Sequence, residues 1–230
     1  MSKVRWIIFS AVVVLILGGL IVYSRVTNPP IDVSGVDTNS IVAASEQNGQ
    51  IADHVFGKAD SKVVFVEYGD FQCPSCGGAH PQVKAAMDEY GDRVAFVFRN
   101  FPLTTIHPNA RVAAAAAEAA GVQGKYWDMH NRIFESQADW QTLTGDQRTN
   151  IFAGYALELG LDEEKFKTDL SSKTISSKIS FDQALGKKIG VDSTPTFFLN
   201  GEKLSSDVSG QIVQGSTSTL TKLFDQELAK

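Results

Sequence analysis

A chain of 230 residues, 43% of them hydrophobic, holds enough apolar material for one large domain or two small ones. Its formal charge of −5 hides an asymmetry: setting aside Lys3, Arg5 and Arg25, which precede the first acid Asp32, leaves 18 basic residues against 26 acidic ones, or −8. That balance argues against nucleic-acid binding, which needs Lys and Arg clustered at phosphates, and reads as a solvated acidic surface.

The first element is an apolar run from Trp6 to Tyr23, broken only by Ser10, Gly18 and Gly19. About 18 apolar residues just suffice to cross the hydrocarbon core. Lys3, Arg5 and the amino terminus favour a cytoplasmic N-terminus, and Arg25 weakens that bias. Trp6 and Tyr23 stand at the two ends, as interfacial aromatics do, and no small-x-small cleavage site or lipid-accepting cysteine follows. The expectation is an uncleaved anchor over residues 1–28, with its helix at about 6–23, rather than a cleaved signal peptide. Either way the remainder lies outside the cytoplasm, in a periplasm or at the cell surface. Residues 29–52, with Pro29, Pro30, several Ser and Asp and little periodicity, read as a linker.

From Lys62 onward strand and helix patterns alternate. Val63 to Tyr68 reads as a buried strand, Gly77 to Tyr90 as a helix containing Pro81, and Arg93 to Arg99 as a central strand. The strand signal then disappears. An alanine-rich helix at 110–120 is followed by helical stretches near 124–136, 146–160, 162–171 and 174–189, with Asp146 as a cap and Gly160 as a stop. Strands return at Thr196 to Leu199. Asn200-Gly201 signals a hairpin into Lys203-Leu204 or, after a longer loop, Gln211 to Val213. A helix at 216–229 ends the chain. The order predicts an α/β fold split by an all-helical insertion.

The chain has two cysteines, Cys73 and Cys76, within Phe71-Gln72-Cys73-Pro74-Ser75-Cys76 at the strand-to-helix junction. That spacing allows a redox couple, a structural staple or half a metal site. A loop so short confines the unfolded chain little, which disfavours the staple. Cys73, Cys76 and His80 have ligand-like spacing for zinc, but a structural site needs a fourth ligand and no second cysteine pair exists. His54, His107 and His130 are scattered and read as capping or surface residues. The redox couple is the favoured reading, with no metal.

Beyond the cysteines, Asp53-His54-Val55, Val64 through Cys76, Arg99-Asn100-Phe101-Pro102-Leu103, His107-Pro108 and Val191 through Gly201 resemble the DsbA-like thiol-disulfide oxidoreductases. The similarity spans roughly residues 53–229. It implies a thioredoxin-like fold over 53–230 with a helical insertion at about 106–189, and a cis Thr194-Pro195 bond facing the CxxC.

Cys73 at the start of a helix would have its thiolate favoured by unpaired N–H groups and the helix dipole, and its sulfur would be the exposed one. Cys76, one turn inward, would be the buried partner. Pro74 suits a first helical turn, and Ser75 stands where the best-known strong oxidases carry histidine. Thr194, in place of their valine, would present backbone groups to an extended substrate. Glu67 matches the family's buried acid, whose implied role is moving protons to and from the inner cysteine; Asp70 reads as a turn residue. The implied function is an extracytoplasmic protein disulfide oxidase without a cofactor beyond its Cys73–Cys76 disulfide. Its substrates would be reduced secreted or surface proteins, and a membrane quinone-linked partner would reoxidise it. The alternatives are an isomerase or reductase of the same fold, or a non-catalytic binding module.

Overall fold

The computed structural model describes residues 3–27 and 31–230, so Asn28 at the end of the expected anchor, Pro29 and Pro30 of the expected linker, the amino terminus and the Arg25 side chain lie outside it. The chain divides into two compact units at Asp32 and Val33. The first unit is the helix α1, Lys3–Thr27, with no acid in its first turn. Its stretch Lys3–Leu20 has a mean hydropathy of 2.0, long and apolar enough to cross a membrane, as a signal sequence also is.

The second unit is built on a five-stranded sheet in the order β1-β3-β2-β4-β5. Its strands are β1 Val55–Gly57, β2 Val64–Gly69, β3 Ala95–Asn100, β4 Thr196–Leu199 and β5 Glu202–Lys203. β2 and β3 run parallel in register Val64↔Ala95 to Gly69↔Asn100, while β4 lies antiparallel to β2 with Glu67 opposite Phe197. All of β3 and β4 is buried, which accounts for their apolar stretches Ala95 to Phe98 and Phe197 to Leu199, while Arg99, Asn100 and Thr196 are buried polar residues at their ends. β1 escapes a sequence reading, because three residues are too few to show a period of two.

Side chains alternate across the sheet. Phe65, Phe96 and Phe197 join one core with α2 (Pro74–Tyr90) and, at the end of the chain, α10 (Thr217–Leu228). The opposite face carries Tyr68 and Arg99. Between β3 and β4 run α3 Ala110–Val122, α4 Tyr126–Glu135, α5 Gln137–Trp140, α6 Gly145–Glu158, α7 Glu163–Leu170 and α8 Lys173–Lys188. They enclose a second core around Ala116, Met129, Ile133, Trp140, Phe152 and Phe166. The alanines of α3 allow its neighbours to approach closely, and all of them are buried.

Four expectations need correction. Gln211 to Val213 is not a strand but belongs to α9, Ser206–Val213, whose N-cap Ser205 accepts the Val208 N–H. Asp146 is not a cap: Thr144 holds that position and Asp146 lies in the first turn of α6. The helix after the cysteines begins at Pro74, not Gly77. Finally, residues 33–52 form no regular element yet do not hang free as a linker. Val33, Val42 and Asn48 are buried, Lys188 Nζ donates to the carbonyls of Val33, Ser34 and Val36 at 2.9 Å each, and Arg99 reaches the carbonyls of Thr38 and Ser40. Prolines, serines and aspartates signal irregular backbone without revealing that its carbonyls are captured by distant cations.

Candidate active site

β2 ends at Gly69, where a side chain would collide with the Phe98 ring. The chain then turns through Asp70-Phe71-Gln72 into α2. Asp70 organises this turn. Its carbonyl accepts the Cys73 N–H at 3.0 Å, and its carboxylate accepts the Gln72 N–H and, across the site, the Leu103 N–H, both at 2.8 Å. His107 Nδ1 lies 2.7 Å from the same carboxylate. His107, unpaired by a reading of sequence alone, is thus tied to the turn.

Cys73 is the N-cap of α2, with φ −69° and ψ 124°, and Pro74 occupies the first turn where its missing N–H costs nothing. Both cysteines are free thiols. Cys73 is 7% exposed and Cys76 0%, so the expected order of accessibility holds although Cys73 is itself buried. The peptide bond before Pro195 is cis, and Cys73 Sγ lies 3.3 Å from the Thr194 carbonyl oxygen. The structure therefore brings Cys73, Cys76, Thr194 and Pro195 together, with Glu67 beneath them.

The two sulfurs have opposite electrostatics. The Cys73 pKa falls to about 5, chiefly because the Cys76 thiol donates a hydrogen bond to its thiolate. Burial opposes this, and the Thr194 side chain and the N–H groups of Cys76 and Ser75 reinforce it. The helix terminus expected from sequence thus ranks behind the partner cysteine. Cys76 is pushed well up, by burial first and then by its bond to Cys73 and the nearby Glu67 charge. The Asp70 N–H reaches Cys76 Sγ at 3.5 Å and partly offsets the rise. Burial, with the Cys73 charge added, raises Glu67 to about 8.

A pH dependence follows. A folded pKa of about 5 against 9.0 for the ordinary thiol means that Cys73 stabilises the reduced fold fully above pH 9 and progressively less as pH falls toward 5. Glu67 has the opposite sign, stabilising below its ordinary 4.5 and losing that effect as pH rises through about 8. Titration of the thiolate ultraviolet absorbance should give a midpoint near pH 5. A midpoint near that of free cysteine would contradict this electrostatic picture.

Several contacts were not legible in the sequence. Gln137, in the one-turn α5, donates to the carbonyls of Phe71 (2.7 Å) and Cys73 (3.0 Å), pinning the helical segment against the cysteines. Gln72 donates to the Gln141 carbonyl and accepts the Asn109 N–H. These partners lie 37 to 69 positions apart and leave no local pattern. His54 and His130 are not surface residues either. His54 pairs with buried Glu118 at 2.9 Å and stacks on Tyr126, and His130 is 2% exposed among Phe71, Phe98 and Phe134.

Residues 50–215 match the family model described as Thioredoxin. The chain belongs to the thioredoxin family. Among solved thioredoxin-like structures, BdbD from Bacillus subtilis is 25% identical with a TM-score of 0.63, covering 83% of this chain and 100% of that one. The α-DsbA1 protein of Wolbachia pipientis, in a form with two cysteines replaced by alanine, shares the fold at 20% identity and a TM-score of 0.64, covering 84% and 96%. The fold is therefore that of the DsbA-like oxidoreductases. The Na(+)/H(+) antiporter NhaA 1 of Salinispora arenicola is 40% identical over 151 residues, which are 66% of this chain. The match takes in only 22% of that antiporter's length.

Proposed function

We propose that this thioredoxin-family chain is an extracytoplasmic protein disulfide oxidase, anchored by α1, that introduces disulfides into reduced secreted or surface proteins. The observation that carries the reading is the geometry of its two thiols, Cys73 at the N-cap of α2 beside the Thr194 carbonyl and the cis Pro195 bond, and Cys76 fully buried one turn inward. In the oxidised enzyme a substrate thiolate attacks Cys73 Sγ. The Cys73–Cys76 bond breaks, and the departing electron pair goes to Cys76, which takes up a proton from Glu67. A second substrate thiolate then attacks the substrate sulfur of the mixed disulfide, and Cys73 leaves as its stabilised thiolate. Two electrons pass from substrate to enzyme. Stabilising the Cys73 thiolate stabilises the reduced enzyme, so exchange runs toward oxidised substrate.

The cis-Pro195 segment gives the substrate its place: Thr194 has a backbone carbonyl within reach of Cys73 Sγ, and an extended chain can pair beside it in strand fashion. In this reading a membrane quinone-linked partner returns the enzyme to the disulfide. Stoichiometric incubation of the oxidised enzyme with a reduced, unfolded two-cysteine protein tests the direction. One substrate disulfide formed per enzyme reduced supports the oxidase. Electron flow the other way identifies a reductase. Replacing Thr194 with Val removes a hydroxyl that favours the thiolate, so the Cys73 pKa should rise toward the free value; an unchanged midpoint would exclude that role for Thr194.

A further inference from the structure

Between β2, β3, α2 and α4 lies a small cavity of about 10 Å³, lined by Glu67, Trp127 and His130 together with Phe65, Val83 and Phe96. That is the space of a single water, which also needs two to four polar partners. The walls supply three. Trp127 Nε1 and His130 Nε2 are both buried and without a hydrogen-bond partner among the described residues, and Glu67 is the third polar residue of the lining. The chemistry of the three is complementary. His130 Nδ1 lies 3.1 Å from Asn131 Oδ1, an acceptor, so Nδ1 carries the proton and Nε2 offers a lone pair. Trp127 Nε1 can only donate. Burial drives the His130 pKa down to about 3, so it stays neutral, while Glu67 at about 8 is protonated at neutral pH and can both donate and accept.

We propose that Glu67, Trp127 and His130 hold one water in this cavity, and that through it His130 and Trp127 position Glu67 as the proton donor and acceptor for Cys76. The inference rests on the thiol-disulfide reading of the cysteines. The water accepts from Trp127 Nε1–H, donates to His130 Nε2 and bonds to Glu67 with its remaining hydrogen. When substrate thiolate breaks the Cys73–Cys76 bond, Cys76 gains the electron pair and Glu67 supplies its proton. The Glu67 carboxylate left behind accepts the water's hydrogen bond until solvent returns a proton. Without the water that carboxylate would be buried with no such donor, and proton release from Glu67 would be costlier.

The groups facing Glu67 are Cys73 and Cys76 from α2 and Tyr126 and His130 from α4, with His80 of α2 beyond His130, so its titration must be isolated from theirs. The infrared carboxylic C=O band that disappears in Glu67→Gln reports Glu67 alone. In the reduced full-length protein, His130→Phe, which keeps an aromatic ring among Phe71, Phe98 and Phe134, and Trp127→Phe should each shift that band. Each should also slow thiol exchange about tenfold at pH 7, since general acid–base transfer contributes roughly 10²-fold or more. The Cys73 absorbance midpoint should stay in place. A band that does not move in either variant, or one that moves without any change in rate, overturns the proposal. If His130→Phe does not fold, Trp127→Phe decides by the same two readouts. The infrared measurement involves no substrate, so it stands or falls independently of the direction of exchange.

Discussion

Replacing Cys73 with Ala abolishes thiol-disulfide exchange, whereas Cys76→Ala, offered a disulfide-bonded substrate, accumulates a mixed disulfide: the Cys73 thiolate attacks the substrate disulfide, one substrate sulfur leaves as thiolate, and the enzyme cysteine that would release Cys73 is gone. Cys73 is the more accessible sulfur, and at a pKa of about 5 it is about 99% thiolate at pH 7, against about 1% for a thiol at its ordinary 9.0. No other residue can substitute, since the chain has only these two cysteines. Cys76→Ala carries a second, less obvious consequence. The Cys76 thiol is the foremost stabiliser of the Cys73 thiolate, so its removal should raise the Cys73 pKa, while Cys76→Ser retains a donor and should raise it less. Trapping followed by mass spectrometry reads the first effect and thiolate absorbance the second. Equal midpoints in the Ala and Ser variants would show that the helix terminus, not the partner cysteine, governs Cys73.

Arg99→Met should cost about 3–5 kcal/mol of folding stability, the range for breaking a fully buried ion pair from one side. Arg99 is 0% exposed. Its Nη2 lies 2.7 Å from Asp53 Oδ2 and donates to the Ser40 carbonyl, and its Nη1 donates to the Thr38 carbonyl and the Tyr68 hydroxyl. Asp53 also faces Lys178 at 2.9 Å, and Lys178 reaches Asp182 at 2.8 Å. Burial raises the Asp53 pKa, but the charges of Lys178 and Arg99 outweigh it and hold the carboxyl well below its ordinary value. Loss of the guanidinium removes one of those charges and leaves two carbonyls of the 33–52 segment without their donor. Urea unfolding should show the destabilisation, and limited proteolysis should show cleavage within 33–52 before the rest of the chain. A loss below about 1 kcal/mol would mean that the segment is held by its apolar contacts instead.

What the sequence revealed and what it concealed divide along a physical line. Cys73, Cys76, Pro74 and the Thr194-Pro195 turn lie in short contiguous motifs whose chemistry is written in neighbouring residues. Glu67 was singled out through the resemblance, by its match to the family's buried acid six residues before Cys73. Arg99 stands at the end of β3, but its partners Asp53, Thr38 and Ser40 lie 46 to 61 positions away. No local periodicity links them, so residues 29–52 read as a linker. His107 and His130 failed similarly: a histidine's role depends on what the fold places beside it, here Asp70 for one and an aromatic cluster for the other.

The reduction potential of the protein in glutathione buffers tests the central claim most directly. A Cys73 thiolate stabilised to a pKa of about 5 makes the reduced form favourable, so the potential should lie well above the cytosolic glutathione poise, less negative than about −200 mV. A value near that of thioredoxin, about −270 mV, would contradict the oxidase and assign the chain to the reducing branch of its chemistry.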